Sequence, residues 1–403
     1  MKWTKFGEGW KIPVKSWCDD VDALAMKQAA NLARHPVIER HVALMPDCHA
    51  GMGMPIGGVI ACANAVIPSA VGVDIGCGMV AVETDVPAAA FEDRSRRRKL
   101  LERLKMRIPV GEGVSHGSPQ SWEGFETYLA RLPPSEQEPP WPSTLDRCNL
   151  GTLGGGNHFV EIQKSGDGFI WLMVHSGSRN LGYRVEQMYM RLAQRHNAKA
   201  KIDLPDPDLA FLPLDSEDGR DYLRDMKFSL DYAQENRRLM MAAFKDVVRE
   251  FEPDAGFLRE INIHHNYAAV ERHFGREYVV HRKGATSAKQ GEPGIIPGSM
   301  GTASYIVRGL GNPESFESCS HGAGRVMSRT EAVRTLSEDE CNRALKDVVF
   351  DRWKQWGKYK KTRGMLDLSE APQCYKPIDE VIADQADLVE PLVRLVPLAV
   401  LKG

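Results

Sequence analysis

The chain has 403 residues, of which 42% are hydrophobic and 26% charged, so it can bury a large core and should not be disordered. Its 52 Lys and Arg residues against 54 Asp and Glu residues give a net charge of −2, which excludes a global basic attraction to nucleic acid. The N-terminus lacks the apolar core of a signal peptide and no run of about 18 apolar residues occurs, so we expect a cytoplasmic protein without a membrane partner.

Local patterns predict helices and strands in the first part of the chain. Asp19 and Asp20 precede an amphipathic stretch at 21–34, which predicts a capped helix, and a second helix is predicted at 92–107. Between them, residues 42–86 are rich in Gly, Val, Ile and Ala and poor in charge. This composition predicts short buried strands joined by tight glycine turns.

The rest of the chain continues this alternation. Residues 132–143 contain five prolines and predict a surface loop or insertion, whereas apolar side chains on one face at 216–250 predict a long helix. Residues 261–329 are again rich in glycine and histidine, and an apolar run ends the chain at 388–403. Two similar halves around a helical middle indicate that distant segments meet in one site. We therefore predict a single, intimately folded α+β domain over 1–403.

Histidines in polar or glycine-rich loops are the first candidates for chemistry, and they are joined by two residues of the VGVDIGCGM segment, three positions apart on one turn. The eight cysteines form no CxxC pair, so most are expected to be reduced, buried thiols. A lone buried histidine or cysteine is usually a core residue. Together, however, imidazole, thiolate and carboxylate are the ligands of a divalent transition metal, and we predict such a site. The residues are Asp74, Cys77, His158, His175, His264, His265 and His321.

Glycine-rich segments and basic side chains lie beside these loops. The glycines of GTLGGGNHF and IIPGSMGTASYIVRGLG either form tight turns or let a phosphate approach backbone N–H groups. Neither a Walker-type motif nor a strand-coupled GxGxxG is present, so P-loop and Rossmann sites are not supported. The neighbouring cations form surface salt bridges or bind an anionic substrate. They are Arg179, Arg282, Lys283, Arg308 and Arg325.

Eight long segments, in order, resemble those of the RtcB RNA ligase family, and the resemblance covers essentially the whole chain. It implies an RtcB-like fold, with a β-sheet core surrounded by helices. The segments are MPDCHAGMGMPIGGV, VGVDIGCGM, LGTLGGGNHFVEI, HSGSRNLG, INIHHNY, HRKGATSA, GIIPGSMGTASYIVRGLGN and SCSHGAGRVMSR, followed by a terminal KG.

The resemblance implies a GTP- and manganese-dependent RNA ligase. Such an enzyme joins RNA 3′-phosphate or 2′,3′-cyclic phosphate ends to 5′-hydroxyl ends through a guanylylated histidine, here His321, and an RNA(3′)pp(5′)G intermediate. Two Mn²⁺ sites would share the sulfur of Cys77, with Asp74, His158, His175 and His265 as the other ligands. Positions implied to surround the guanine nucleotide are Asn157, Phe159, Glu161, Ser299, Ser304, Gly322, Ala323, Gly324, Arg325, Tyr375 and Lys402.

Several alternatives stay open at this level. We hypothesise that RNA phosphates are bound by Arg179, Arg282 and Arg308. A metal-dependent phosphoesterase would use the same ligands without a covalent nucleotide, and a non-catalytic RNA-binding relative is a third interpretation. The ligand set by itself favours zinc over manganese. Cys48 and His49 are expected to support the site rather than bind metal. The sequence does not reveal the physiological RNA, the need for an accessory activator protein, or whether the protein is a monomer or homodimer.

Overall fold

Helices lie between groups of strands along the whole chain, and the α+β class predicted from the sequence is confirmed. The computed structural model describes residues 1–133, 140–354 and 364–403. The helices in these ranges are α1 (Ala23–Arg34), α2 (Pro68–Val71), α3 (Arg94–Arg107), α4 (Glu123–Leu129), α5 (Thr144–Asn149), α6 (Leu181–Lys199), α7 (Glu217–Phe251), α8 (Arg329–Thr335), α9 (Glu338–Ala344) and α10 (Ile378–Asp384).

The predicted helices are present, with small changes at their ends. The cap of α1 is Asp22 rather than Asp19 or Asp20, because the Asp22 carboxylate accepts hydrogen bonds from the second and third backbone N–H groups of the helix. Asp93 caps α3 and Ser216 caps α7 in the same way. The spacing of apolar residues thus predicted the bodies of these helices, and a single polar side chain fixes where each begins.

The strands are numbered here in chain order. They are β1 (Trp3–Lys5), β2 (Val14–Ser16), β3 (Ile38–His49), β4 (Ile56–Cys62), β5 (Ala65–Val66), β6 (Gly78–Pro87), β7 (Phe159–Ser165), β8 (Phe169–Ser176), β9 (Leu212–Pro213), β10 (Phe257–His264), β11 (Asn266–His273), β12 (Arg276–Lys283), β13 (Ala285–Ser287), β14 (Pro293–Ile296), β15 (Ser304–Gly309), β16 (Ser318–Ser320), β17 (Val349–Phe350) and β18 (Val389–Lys402).

Two large sheets hold most of these strands. The first has six strands in the order β1-β2-β3-β4-β12-β11, and the second has eight, in the order β10-β6-β8-β7-β18-β15-β14 with β17 parallel to β18. The small pairs β13–β16 and β5–β9 complete the described pairing. The apolar run at the end of the chain, β18, lies between β7 and β15, so the last residues of the chain pair with residues from its middle.

Helix α7 packs between strands of the second sheet and the outer helices. Its apolar face, including Met240, Phe244 and Val248, is fully buried and packs with the valines of β6 and β8 and with α3. Helices α1 and α6 cover a second apolar cluster beside the first sheet. No helix within the described ranges is long and apolar enough to cross a membrane.

The proline-rich segment predicted as a loop at 132–143 lies partly outside the described residues. At its described end, Trp141 is only 2% exposed and its indole N–H donates to the Tyr128 hydroxyl at 2.9 Å. This end of the segment is therefore packed against the body of the protein.

Candidate active site

A buried cluster of one thiol and two imidazoles lies where three neighbouring strands of the second sheet begin or end. Cys77 immediately precedes β6, His158 immediately precedes β7, and His175 is near the end of β8. The Cys77 Sγ atom is 3.5 Å from Nε2 of His158 and 3.3 Å from Nε2 of His175. The ligand atoms of these residues all lie within 4.8 Å of one another, so the cluster could hold a metal ion.

The second ring nitrogen of each histidine fixes how the ring is turned. Nδ1 of His158 is 3.0 Å from the Leu153 carbonyl oxygen, and Nδ1 of His175 is 3.1 Å from the Asn157 carbonyl oxygen. A carbonyl can only accept, so the proton is on Nδ1 in each ring and the lone pair of Nε2 faces the sulfur. Metal-binding histidines are commonly oriented in this way.

Asp74 and His265, the other two residues implied as metal ligands, border this cluster. Asp74 lies in the same turn as Cys77, and the backbone N–H of Cys77 donates to the Asp74 carbonyl oxygen. The carboxylate of Asp74 is 3.3 Å from Nε2 of His158. The ring of His265 is 5.2 Å from that of His175, centroid to centroid, and its buried Nδ1 has no hydrogen-bond partner in the described part of the chain. An unpartnered buried nitrogen fits a metal ligand.

Helix α7 anchors the backbone of this cluster through Arg237, which is fully buried. Its guanidinium donates to the carbonyl oxygens of Gly76 and Ser176, at 2.8 and 3.0 Å, beside two of the ligands. It also lies 3.1 Å from Nδ1 of His264. The two neighbouring histidines of INIHHN therefore have different contacts: His265 faces the cluster, and His264 contacts the arginine.

Burial sets the protonation states of the cluster. Desolvation holds the pKa values of His175 and His265 well below the usual range, so both imidazoles are neutral and can donate lone pairs. Burial also raises the pKa of the Cys77 thiol well above its usual value. A cation is therefore needed to keep this sulfur deprotonated.

His321 lies next to the cluster and is held by a carboxylate. Its ring centroid is 4.9 Å from that of His265, so His158, His175, His265 and His321 form a continuous row of imidazoles. Nδ1 of His321 is 2.6 Å from Oδ2 of Asp47, which has no exposed side-chain surface. The proton is therefore on Nδ1, and the lone pair is on Nε2.

His321 lines a cavity of about 330 Å³, within the size range of small-molecule sites. Most positions implied to surround a nucleotide line the same cavity. They are Asn157, Phe159, Glu161, Ser299, Gly322, Ala323, Gly324, Arg325, Tyr375 and Lys402.

The remaining implied position, Ser304, is buried behind this wall. Its hydroxyl accepts from Gln163 Nε2 at 3.1 Å and from the Gly298 N–H at 3.3 Å. It orders the chain that carries Ser299 rather than lining the described cavity. His49 also lines the cavity, and Cys48 is buried beside it.

Two carboxylates of opposite character belong to the surroundings of the cavity: Glu161 lines it, whereas Glu370 lies behind it and contacts the basic side chains that line it. Glu161 is 3% exposed, its Oε1 has no hydrogen-bond partner among the described residues, and burial raises its pKa to about 8. Burial would likewise raise the pKa of Glu370, but Lys402, Arg329 and Arg325 lower it to about 2. Glu161 can thus accept a hydrogen bond from a ligand, whereas the negative charge of Glu370 is already balanced by the neighbouring cations.

Glu370 organises several cavity residues at once. Its oxygens accept from Tyr375 Oη at 2.6 Å, Lys402 Nζ at 3.0 Å and Arg325 Nη1 at 3.3 Å. Arg329 is also 3.3 Å away. Three cations surround one carboxylate, so this wall keeps a net positive charge that would suit phosphate groups.

The arginines predicted to grip phosphates have different surroundings. Arg179 lies at the cluster of Cys77, His158 and His175, with its Nη1 3.3 Å from Nδ1 of His158. Arg282 is fully buried, and its guanidinium donates to both oxygens of Glu271 at 2.7 and 2.9 Å. Arg308 is about half exposed and paired with Glu390. Of these three arginines, Arg179 alone is brought to the site.

Sequence reasoning missed Asp47 and Glu370. Asp47 is inside the MPDCHAG motif, in which the neighbouring Cys48 and His49 are the more conspicuous residue types. Glu370 lies in none of the recognised motifs, and only its spatial position among basic side chains reveals it.

Comparison with known proteins identifies the family of the chain. The family model described as "tRNA-splicing ligase RtcB" matches residues 28–132 and 135–403. The chain belongs to the RtcB family. Among relatives in that family, "RNA-splicing ligase RtcB1" of Escherichia coli is 41% identical over 410 residues, covering 97% of both chains. "tRNA-splicing ligase RtcB" of Thermococcus kodakarensis is 30% identical over 474 residues, covering 99% of this chain and 96% of the relative. The RtcB resemblance of the sequence motifs is thereby confirmed.

Proposed function

We propose that the protein is a GTP- and manganese-dependent RNA ligase that joins 3′-phosphate or 2′,3′-cyclic phosphate ends to 5′-hydroxyl ends. The names of its relatives support an RNA ligase. One observation carries the proposal: a histidine with a free Nε2 lies between a metal-type cluster and a small-molecule cavity, and a buried carboxylate holds its other nitrogen.

The first step is transfer of GMP to His321. Its Nε2 attacks the α-phosphorus of GTP, an N–P bond forms, and the bond to the β-phosphate oxygen breaks with release of pyrophosphate. Asp47 keeps the proton on Nδ1 and offsets the positive charge that develops on the ring. The cationic wall of Arg325, Arg329 and Lys402 would stabilise charge on the phosphates.

Two further transfers complete the reaction. An oxygen of the RNA 3′-phosphate attacks the phosphorus on His321, the N–P bond breaks, and RNA(3′)pp(5′)G forms. The 5′-hydroxyl of the second strand then attacks the 3′-phosphate, loses its proton and releases GMP. A cyclic phosphate end must first be opened by water to the 3′-phosphate.

The buried carboxylate of Glu161 supports a guanine nucleotide. Guanine presents N–H donors at N1 and at its exocyclic amino group, and a carboxylate offers matching acceptors. The unpartnered oxygen of Glu161 is therefore suited to hold the base. Phe159, which lies near Lys402 at the end of the cavity, adds apolar surface.

The donor set fits divalent metal. Cys77, His158, His175, Asp74 and His265 would hold it, with Cys77 shared between two sites. Metal bound there would polarise phosphate oxygens and lower the pKa of a hydroxyl or water. Thiolate and imidazole ligands favour zinc. The proposal of manganese as the metal is therefore based on the family and not on ligand chemistry.

Arg179 is the best supported of the arginines proposed to bind RNA phosphates, because it lies beside His158. Arg308 is exposed but its partner Glu390 competes for it. Arg282 would first have to leave Glu271, so its proposed contact with RNA has little support from the geometry.

We also expect the protein to act in the cytoplasm.

Labelling with GTP carrying ³²P at the α-phosphate tests the proposal. Wild-type protein with Mn²⁺ should acquire acid-labile label, and His321→Ala should acquire none. His41→Ala is a matched control, since His41 is a buried histidine whose Nε2 lies 2.7 Å from the Glu314 carbonyl oxygen. A wild-type protein that releases phosphate from cyclic or terminal phosphate ends but never becomes labelled would instead be a metal-dependent phosphoesterase.

A further inference from the structure

Helix α6 presents a basic outer face although the chain as a whole is slightly acidic. Its only acidic residue, Glu186, has no exposed surface, whereas Arg191, Arg195 and Lys199 are exposed. Positions 191, 195 and 199 repeat every four residues and so lie along one side of the helix. This is a local positive surface of the kind that nucleic-acid binding by a chain of net charge −2 requires.

Two arginines of this face, Arg191 and Arg195, are free to bind a ligand. No hydrogen bond or ion pair to the rest of the described chain engages the guanidinium groups of Arg191 and Arg195. Arg184, on the same side, is held by both carboxylate oxygens of Asp146 at 2.5 and 2.6 Å. It fixes the position of the helix, while the two later arginines have no such internal role.

Helix α3 shows that basic composition alone does not produce such a face. Arg96 pairs with Glu252, and Arg103 and Arg107 both pair with Glu250. Lys105 pairs with Asp351. Arg94 and Arg97 donate to backbone carbonyl oxygens. Six of the eight basic residues of α3 are therefore engaged in internal contacts, and its sequence would give a misleading indication of a binding surface.

The basic face of α6 is continuous with the candidate active site. The helix begins two residues after Arg179, whose guanidinium lies 3.3 Å from the ring of His158. From its first residue, Leu181, to Arg195 the helix is about 21 Å long, which is enough for several nucleotides. A shallow, open depression of about 870 Å³ lies along this face, and its described lining comes from α6 alone, from Tyr183 to Ala198. Tyr183, near its start, is 47% exposed.

We propose that this outer face of α6 binds the sugar-phosphate backbone of the RNA strand whose end reaches the cluster of Cys77, His158 and His175. Arg191 and Arg195 bind phosphates, and Tyr183 provides a ring on which a base stacks. The inference rests on the proposed function for the identity of the ligand. It adds the surface that leads the strand to the site, which Arg179 alone does not supply.

Fluorescence anisotropy with a 20-nucleotide single-stranded RNA bearing a 5′-hydroxyl end tests this surface. The Arg191→Gln/Arg195→Gln protein should bind about tenfold more weakly at moderate salt, and the slope of log K against log salt should fall by roughly 1.4, about 0.7 for each phosphate that the variant no longer binds. Tyr183→Ala should weaken binding severalfold without changing that slope. Labelling of His321 by GTP should be unchanged in all of these proteins.

Arg98→Gln/Lys99→Gln is the matched control, since both residues are exposed on α3 and the change in net charge is the same. It should bind RNA as the wild type does. Equal RNA affinity and equal salt slope for wild type and the α6 variant would overturn the inference, as would an equal weakening in the α3 control.

The outcomes also separate this inference from the proposed function. If wild type is labelled by GTP and ligates RNA but the α6 variant binds RNA normally, only the α6 surface is wrong. If wild type binds RNA through α6 but is never labelled, the surface stands and the ligase proposal fails.

Discussion

The Nδ1 atom of His321 lies 2.6 Å from a carboxylate oxygen of Asp47, a residue 274 positions earlier in the chain. The same carboxylate oxygen accepts the backbone N–H of His321 at 3.2 Å. Asp47 therefore fixes both the tautomer of the ring and the position of its backbone. Because the carboxylate is buried, its charge is weakly screened and acts strongly on the imidazole.

Replacing Asp47 by Asn should slow labelling of His321 by GTP at least about 100-fold, because an amide can stabilise the unreactive tautomer and no longer offsets charge on the ring. The rate of ³²P incorporation at saturating GTP and Mn²⁺ measures the effect. Asp387→Asn is the control, since that carboxylate accepts from the Trp17 indole at 2.8 Å and does not contact His321. Wild-type labelling rates in the Asp47 variant would refute its role.

Glu161 gives a prediction in which stability and binding change in opposite directions. Burial raises its pKa to about 8. A carboxyl group whose pKa is higher in the folded than in the unfolded protein destabilises the fold as pH rises from its unfolded pKa towards its folded one. Without nucleotide, Glu161→Gln should therefore be more stable than wild type at pH 8, on the order of 4 kcal/mol, and the difference should vanish near pH 4.

The same variant should bind GTP at least about tenfold more weakly, because the carboxylate that accepts the guanine donors is absent. Wild-type affinity should rise as pH increases towards 8, whereas that of Glu161→Gln should not. Urea unfolding and calorimetric GTP titration at several pH values check both effects. Equal stability of the two proteins at pH 8 would show that Glu161 is not held in the protonated form.

Much of this site could be predicted from the sequence because its ligands occur in unusual local contexts. Histidines in glycine-rich loops between apolar runs cannot be explained by packing, and Asp74 and Cys77 are close enough in sequence to share a turn. The helices α3 and α7 were predictable for a related reason: caps and apolar spacing are local signals. Helix α6 was missed, since its start lies inside the HSGSRNLG motif, which has the composition of a loop.

The contacts that complete the site are not local. Asp47 meets His321, and Glu370 meets Lys402, only because the sheets bring distant segments together. The pairing of β18 with both β7 and β15 likewise has no signature in its apolar run. A single buried carboxylate in an ordinary sequence context becomes significant only when its neighbours in space are known.

Binding of metal at Cys77 can be measured without any assay of ligation. Adding Mn²⁺ at about 100 times its dissociation constant to metal-free wild type should stabilise it by about 2.7 kcal/mol, a shift of several degrees in Tm. Cys77→Ala should lose this shift and retain less metal by mass spectrometry. Cys319→Ala, which removes another fully buried thiol, should keep it. Zn²⁺ should compete with Mn²⁺ in wild type, and an unchanged shift in Cys77→Ala would place the metal elsewhere.

The buried ion pair of Arg282 and Glu271 decides whether the arginine has a structural role or binds RNA. Removing one partner of such a pair typically costs about 3–5 kcal/mol because the other charge is left buried and unpaired. Arg282→Ala should therefore lower Tm strongly, whereas Arg308→Ala at the exposed pair should change stability by less than about 1 kcal/mol. Glu271→Leu/Arg282→Met should recover much of the stability, since neither charge remains.

The pH dependence of the Arg282 variant follows from the same pair. Burial opposes ionisation of Glu271, but hydrogen bonds from His273 and Arg282 lower its pKa to about 2. A lowered folded pKa stabilises the protein above the unfolded pKa and loses that effect as pH falls towards 2. The difference in unfolding free energy between wild type and Arg282→Ala should thus be full at pH 7 and shrink below about pH 4. If folded Arg282→Ala instead keeps wild-type stability but binds RNA with a smaller salt slope, Arg282 contacts RNA directly.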